Sequence, residues 1–279
     1  MKTIKRCSLL FFVVAVIFVL AACGTKAEPV VTVPAETVNP EPSVVRTPEP
    51  TPVPVVETAP VVEDKELTPA ERAAEKGLPV PPDVDVTSWE FLVANSYNSI
   101  LIYAPPYAGF EGQGIDERIF EVTCQMMADL RAEGLPAYMA SIFRNYEFQT
   151  SHYTYKVNEL GDAYEASKVI HGFGCSDHQT GLAFDITANP YMAINYSIFD
   201  NSEVLETETY QWMLDHCTDY GFILRYPEGK EQYYGTACTA GHFRYVGVEA
   251  AKYITENNLC LEEFLLLYDE DIIHVPGIN

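Results

Sequence analysis

Two imidazoles and one carboxylate in this chain have the residue types and the setting of a metal site. The segment Cys175-Ser176-Asp177-His178-Gln179-Thr180-Gly181-Leu182-Ala183-Phe184-Asp185 separates His178 from Asp185 by seven positions, across a glycine. A continuous helix would put the pair on one face, but Gly181 and the alternation after it predict a loop feeding a strand. The two groups then converge only around something small. A second imidazole arrives with His242-Phe243-Arg244-Tyr245-Val246-Gly247. Two histidines and one carboxylate leave a fourth tetrahedral position open for water, the pattern of catalytic rather than structural zinc. Spacing alone also fits histidines satisfied inside a core, so the surrounding elements matter.

Those elements read as an α+β mixture with no internal repeat. Ile119, Phe120, Cys124, Met127 and Leu130 recur at helical spacing and predict a helix over Asp116–Glu133, stopped by Gly134. Ala137–Phe143 reads as a short buried strand, and Tyr146–Leu160 as a second helix closed by Gly161. Leu182–Ile186 is a predicted strand, Glu206–Tyr220 a helix stopped by Gly221, and His242–Val246 a strand. Val248–Glu256 and Leu261–Tyr268 read as closing helices. The chemically suggestive residues fall at strand ends and loops, where a rigid scaffold presents function.

The string Ser176-x-His178-x-x-Gly181-x-Ala183-x-Asp185, followed by His242-Phe243-Arg244-Tyr245-Val246-Gly247, resembles the VanY-type D-alanyl-D-alanine carboxypeptidases of the LAS zinc metallopeptidase group. Ser141-Ile142-Phe143-Arg144-Asn145-Tyr146-Glu147-Phe148-Gln149 is similar to that family's Ser-x-x-Arg-Ser-Tyr-x-x-Gln segment. Arg225-Tyr226-Pro227-Glu228-Gly229-Lys230-Glu231 is similar to its stretch before the last histidine. Together the matches run from about Trp89 to Tyr253 in the family's order. The resemblance implies an α+β, LAS-type (hedgehog/D,D-peptidase-like) domain, a small antiparallel sheet with packed helices. It further implies a Zn2+ cofactor on His178, Asp185 and His242, with Arg144 and Ser176 at the substrate. An arginine suits that task, because its planar fork holds a terminal carboxylate by two charge-assisted hydrogen bonds. The implied partner is the D-alanine-terminated stem peptide of peptidoglycan, and the implied reaction is its hydrolysis. The alternatives are a zinc-binding lipoprotein that holds wall peptides without cleaving them, and a cross-bridge endopeptidase. His152, His171, His216 and His274 fall outside the pattern and read as structural, and Arg244 and Tyr245 as ion-pair and packing residues.

One position departs from the family. Its members read Glu-Pro-Trp-His before the strand, the glutamate being the general base; this chain reads Thr239-Ala240-Gly241-His242. A threonine hydroxyl is no base near neutral pH. The catalytic base is therefore unassigned, with Asp177, Glu228 and Glu231 as the carboxylates that would have to reach the site from another direction. Cys175 adjoins Ser176 and Cys238 adjoins Thr239, so the resemblance places both near the metal. A Cys175–Cys238 disulfide is one expectation in an oxidising location; two thiols or an extra metal ligand are the others.

The remaining sequence bears on where such a domain works. Residues 1–23 read as a lipoprotein signal peptide, with Lys2, Lys5 and Arg6 ahead of the apolar run Leu9–Leu20. Leu20-Ala21-Ala22-Cys23-Gly24 resembles a lipobox, which implies cleavage before Cys23 and a diacylglycerol on its thiol. Residues 24–83 are rich in Pro, Val, Thr and Glu and predict a disordered, semi-rigid stalk. Residues 84–279 are then the zinc domain, held by lipid at the extracytoplasmic face of a bacterial membrane. A formal net charge of -23 argues against nucleic acid as a partner. Of seven cysteines, Cys7 leaves with the signal and Cys23 carries lipid. The rest form no CxxC pair, so a cysteine-rich structural zinc site is not expected.

Overall fold

In the computed structural model, residues 66–111, 113–191, 201–237, 239 and 241–277 are described. The chain begins with α1 (Pro69–Glu75), then β1 (Tyr107–Phe110), β2 (Gln113–Asp116), α2 (Phe120–Ala132) and β3 (Tyr138–Ser141). Next come α3 (Tyr146–Leu160), α4 (Ala163–Ser167), β4 (Ala183–Thr187), α5 (Glu208–His216) and β5 (Phe222–Leu224). It closes with α6 (Glu231–Tyr234), β6 (His242–Tyr245), α7 (Val248–Glu256) and α8 (Leu261–Leu265). One antiparallel sheet has the order β3-β4-β6-β5, and β1 and β2 form a separate antiparallel pair. The fold is α+β, small antiparallel sheets with helices packed on them.

Strand periodicity explains why the central sheet has two unlike faces. Successive side chains point to opposite sides, so Phe184 and Ile186 of β4 face one way and Ala183, Asp185 and Thr187 the other. On β6, Phe243 lies opposite Phe184 in the ladder and His242 opposite Asp185. The Phe184 ring meets Phe243 at 6.1 Å and Phe222 at 5.3 Å. With Ile115, Ile119, Met126, Leu130, Met139 and Met213 these form a buried core. At about 1.5–3 kcal/mol for each fully buried large side chain, this face holds the sheet flat against α2 and α5. The other face is free to carry polar groups.

Three expected boundaries change for local reasons. The helix expected from Asp116 begins at Phe120, because Asp116 pairs with Tyr107 in the β1–β2 ladder and its carboxylate accepts from Arg118 N at 2.9 Å. The last helix ends at Leu265 rather than Tyr268. Residues 66–83, assigned by composition to the stalk, contain α1. There Thr68 and Glu71 form a capping box with Pro69 in the first turn, and Arg72 Nη1 donates to Tyr268 O at 2.8 Å. The rest of the expected stalk, the signal segment and Cys23 lie outside the described residues. Strands β1, β2 and β5 are three or four residues long, too short to show a period in sequence.

Candidate metal centre

Asp185 and His242 meet because they are directly opposed partners on neighbouring strands. Ser141 opposes Asp185 from β3 on the other side. His178 reaches them from a 3-10 turn, Asp177–Thr180, that precedes β4 and is closed by Gly181 at φ 74°. A side chain at Gly181 would strike Pro105 Cγ at 2.8 Å and Asp116 N at 3.2 Å, so the turn needs glycine both for its left-handed backbone and for space. All three site residues are buried.

The donor atoms of His178, Asp185 and His242 lie within 4.8 Å of one another. His242 Nδ1 is 2.7 Å from Asp185 Oδ1, and His178 Nε2 is 3.2 Å from Asp185 Oδ2. Donors on a tetrahedral zinc ion lie roughly 3.3 Å apart, so small side-chain shifts would seat one ion among them. Asp185 Oδ2 is buried and accepts no hydrogen bond, as a ligand atom awaiting a cation would be. The outward nitrogens are also set. His178 Nδ1 is 2.7 Å from Ile142 O and donates to it, which leaves Nε2 with its lone pair inward. His242 Nε2 faces the buried Asp177 Oδ2 at 3.6 Å, which leaves Nδ1 inward. A hydrogen-bonded partner such as Ile142 O fixes the tautomer and orientation of a metal-binding histidine; the His242–Asp177 contact is too long for one.

The electrostatics agree with that donor set. Burial opposes the charge on Asp185, but the two imidazoles outweigh it and hold the carboxyl far below its usual range. Burial, then the Arg144 guanidinium, lowers His178 to about 4, so its imidazole is neutral near pH 7. Burial also works against a charged His242, yet Asp185 and Asp177 together raise it above the ordinary histidine value. The metal-free centre thus has an ionised carboxylate, one neutral imidazole and one whose charged form its two carboxylate neighbours favour. A divalent cation would compete with that charge.

The other expected residues fall in different places. Arg144, 8 % exposed, donates its backbone N–H to His178 O at 3.2 Å and lines a cavity of about 240 Å³ with Gln113, Phe143 and Phe148. It is beside the centre, its Nη1 3.1 Å from His152 Nδ1. Ser176 immediately precedes the turn that carries His178, without a side-chain capping bond, and is buried. Thr239 keeps its hydroxyl on Ala237 O at 3.4 Å. Of the alternative carboxylates, Glu228 is exposed and Glu231 Oε1 accepts from Gly229 N at 3.2 Å. Only Asp177 touches the centre, and Arg244 and Arg225 hold it ionised far below the usual range against its burial. A carboxylate so acidic is a poor proton acceptor. Cys175 is a free thiol, so the expected bridge is not made from its side; Cys238 lies outside the described residues.

Two histidines read as structural lie near the centre. His152 Nδ1 is 3.1 Å from Arg144 Nη1, two turns along α3, and burial plus that guanidinium lower it to about 4. His171 is buried with its ring 5.4 Å from Tyr226, whose own ring is 5.0 Å from His242. No motif in the sequence marks either one, since only the fold brings α3 and the segment before Ser176 to the metal face. Arg244, read as an ion-pair residue, is one: its Nη1 donates to Asp177 Oδ1 at 2.6 Å.

Comparison with known proteins gives concordant results. Residues 112–248 match the family model for VanY, D-alanyl-D-alanine carboxypeptidase. A D-alanyl-D-alanine carboxypeptidase of Enterococcus faecalis is 32% identical over 219 residues, 74% of each chain. Among solved structures, VanYB in complex with D-alanine-D-alanine superposes with a TM-score of 0.54 at 32% identity, covering 64% of this chain and 98% of that one. A mutant of a vancomycin resistance D,D-pentapeptidase VanY in complex with Zn(II) gives 0.54 at 31% identity, covering 64% and 99%.

Proposed function

We propose, from the premise that this chain belongs to the VanY family of D-alanyl-D-alanine carboxypeptidases, that it is a zinc peptidase that removes the terminal D-alanine of peptidoglycan stem peptides. The observation that carries the reading is the convergence of His178 Nε2, Asp185 and His242 Nδ1 within one cation's reach. Their two imidazoles and one carboxylate suit Zn2+, which when bound supplies Lewis-acid polarisation of a carbonyl and a water of pKa about 7.

The chain's own residues do the rest. Arg144 holds the peptide's terminal carboxylate by its fork at the mouth of the cavity it lines, and its anchorage to His178 O fixes that fork relative to the metal. Ser176, on the turn with His178, contacts the peptide next to the scissile bond. Asp177, being spoken for by two arginines, orients His242 rather than taking a proton. With threonine at 239, water activation rests on the metal alone, and turnover is slow for the family. We place the domain outside the cytoplasm, held by a lipid on Cys23 and lifted off the membrane by the proline-rich segment.

The test is direct. Purified full-length chain is incubated with a stem pentapeptide ending in D-alanyl-D-alanine, with zinc or with chelator, and products are weighed by mass spectrometry. The reading requires zinc-dependent loss of one D-alanine and no loss from a peptide ending in L-alanine. Zinc and peptide binding without any product would show a wall-peptide binder instead. For the anchor, cells fed a clickable fatty acid should label the wild-type chain and not Cys23→Ser; equal labelling of both refutes lipidation there.

A further inference from the structure

Behind His242 the fold buries four charged side chains of balanced sign, Asp177, Arg225, Arg244 and Glu262, none of them measurably exposed. Arg244 is fully engaged: Nη1 on Asp177 Oδ1, Nη2 on the carbonyls of Glu90 and Leu92, and Nε on Tyr245 O. Arg225 gives both terminal nitrogens to Glu262, at 2.9 and 2.6 Å, and Glu262 Oε1 also accepts from Asn95 Nδ2 at 2.8 Å. Glu262 is in the first turn of α8, and Asn95 in the segment before β1. Both lie outside the 112–248 stretch that matches the family model.

The informative atom is Asp177 Oδ2. Two buried donors face it, Arg225 Nε at 3.5 Å and His242 Nε2 at 3.6 Å, and none of the three atoms completes a hydrogen bond. They compete for one oxygen. Glu262 decides the competition, because its two-pronged hold neutralises Arg225 and draws the guanidinium's strongest donors away from Asp177. The geometry points to Glu262 as a positioning residue of the metal centre, acting through Arg225 and Asp177 to keep a carboxylate oxygen available to His242 Nε2–H. Removing its charge leaves Arg225 unpaired in a buried setting, where it turns to the nearest anion, Asp177. His242 Nε2 then loses the acceptor it faces.

This inference rests on the reading of His178, Asp185 and His242 as a zinc site. Its test is zinc affinity of the purified full-length chain, measured by competition with a chromophoric chelator, independent of peptide cleavage. Glu262→Gln should weaken zinc by about 10–100-fold, the usual effect of losing an outer partner of a ligand, and Glu262→Asp should recover most of it. Leu265→Ala is the control: it empties a buried site on the same helix and lowers the melting temperature without touching the charges, so its zinc affinity should stay within about twofold of wild type. Unchanged affinity in Glu262→Gln overturns the proposal, and so does equal weakening in Leu265→Ala, which would mark general destabilisation. If Glu262→Gln does not fold, Asn95→Ala takes its place, since it removes the donor that holds Glu262 Oε1 from the other side; it should weaken zinc more than Leu265→Ala does, and parity with Leu265→Ala overturns the proposal. Failure of the wild-type chain to bind zinc sinks the zinc reading itself, a distinct result.

Discussion

Thr239→Glu is the sharpest perturbation of the proposed chemistry. In the described residues the threonine hydroxyl makes one hydrogen bond, to Ala237 O at 3.4 Å, near the limit of such contacts and worth well under about 1 kcal/mol. Thr239 is only partly buried, so its replacement should alter stability by no more than about 0.5 kcal/mol. A carboxylate at this position, three residues ahead of the proposed ligand His242, would supply the general base that the resemblance places there, worth ~10²–10⁴-fold in rate. That is roughly 3–5.5 kcal/mol of barrier, many times the structural cost. The new charge also favours the protonated form of His242, which Asp185 and Asp177 already raise, so zinc must be saturating. The assay is kcat for D-alanine release from a stem pentapeptide, with zinc and peptide affinities measured in parallel. Thr239→Gln supplies the same length without a base and should stay at the wild-type rate. A Thr239→Glu chain that binds zinc and peptide normally yet turns over no faster refutes the reasoning, as does a Thr239→Gln chain that speeds up equally.

Other expectations follow from the same geometry. Arg144→Lys exchanges a two-pronged anchor for a point charge; losing one charge-assisted hydrogen bond of about 1.5–3 kcal/mol should raise KM for the pentapeptide roughly 10–150-fold with less effect on kcat, and an unchanged KM argues that Arg144 does not hold the carboxylate. Zinc should compete with a proton on His242: calorimetry in buffers of different ionisation enthalpy should show proton release on zinc binding below the raised His242 value, with affinity rising with pH up to that value and levelling above it. A pH-independent affinity contradicts that. The sign for the metal-free domain is opposite, since a raised histidine stabilises the fold below its unfolded value, and that contribution is lost as pH rises through the folded one. Phe184→Ala, on the apolar face of β4 against Phe222 and Phe243, should cost about 3–5 kcal/mol in denaturant unfolding while leaving zinc bound; loss of zinc from a folded variant would tie the two faces together.

What could be read in the sequence divides along physical lines. The long periodic helix over Tyr146–Leu160 is found with the expected bounds, because Asn145 caps it through Phe148 N and Gly161 takes the left-handed position that ends it. His178, Asp185 and His242 were legible because their motif residues are close in sequence to the turn and strand that carry them. The outward partners were not. Ile142 O, which orients His178, is a backbone atom without sequence identity, and Glu262 lies 84 positions from His178. A salt bridge that spans so many residues leaves no local pattern. The helix α1 was missed because a proline-rich texture masked the Thr68–Glu71 capping box, whose weight comes from Arg72 reaching Tyr268, again a distant contact.

The two-residue period of a strand gives the centre its economy of construction. On β4 and β6 the proposed ligands, Asp185 and His242, are immediate chain neighbours of Phe184 and Phe243, which bury the opposite face. Their ladder pairing fixes both sets at once, since a slip of one register position would turn the carboxylate into the apolar core and a phenylalanine toward the metal. An ionised Asp185 in that core would lack any partner and carry a prohibitive desolvation cost, so the site's own charge helps specify the register that creates it. The apolar face supplies the stability, the polar face supplies the discrimination against misregister, and the outer charges of Asp177, Arg225, Arg244 and Glu262 balance one another, so they add no net charge behind the polar face.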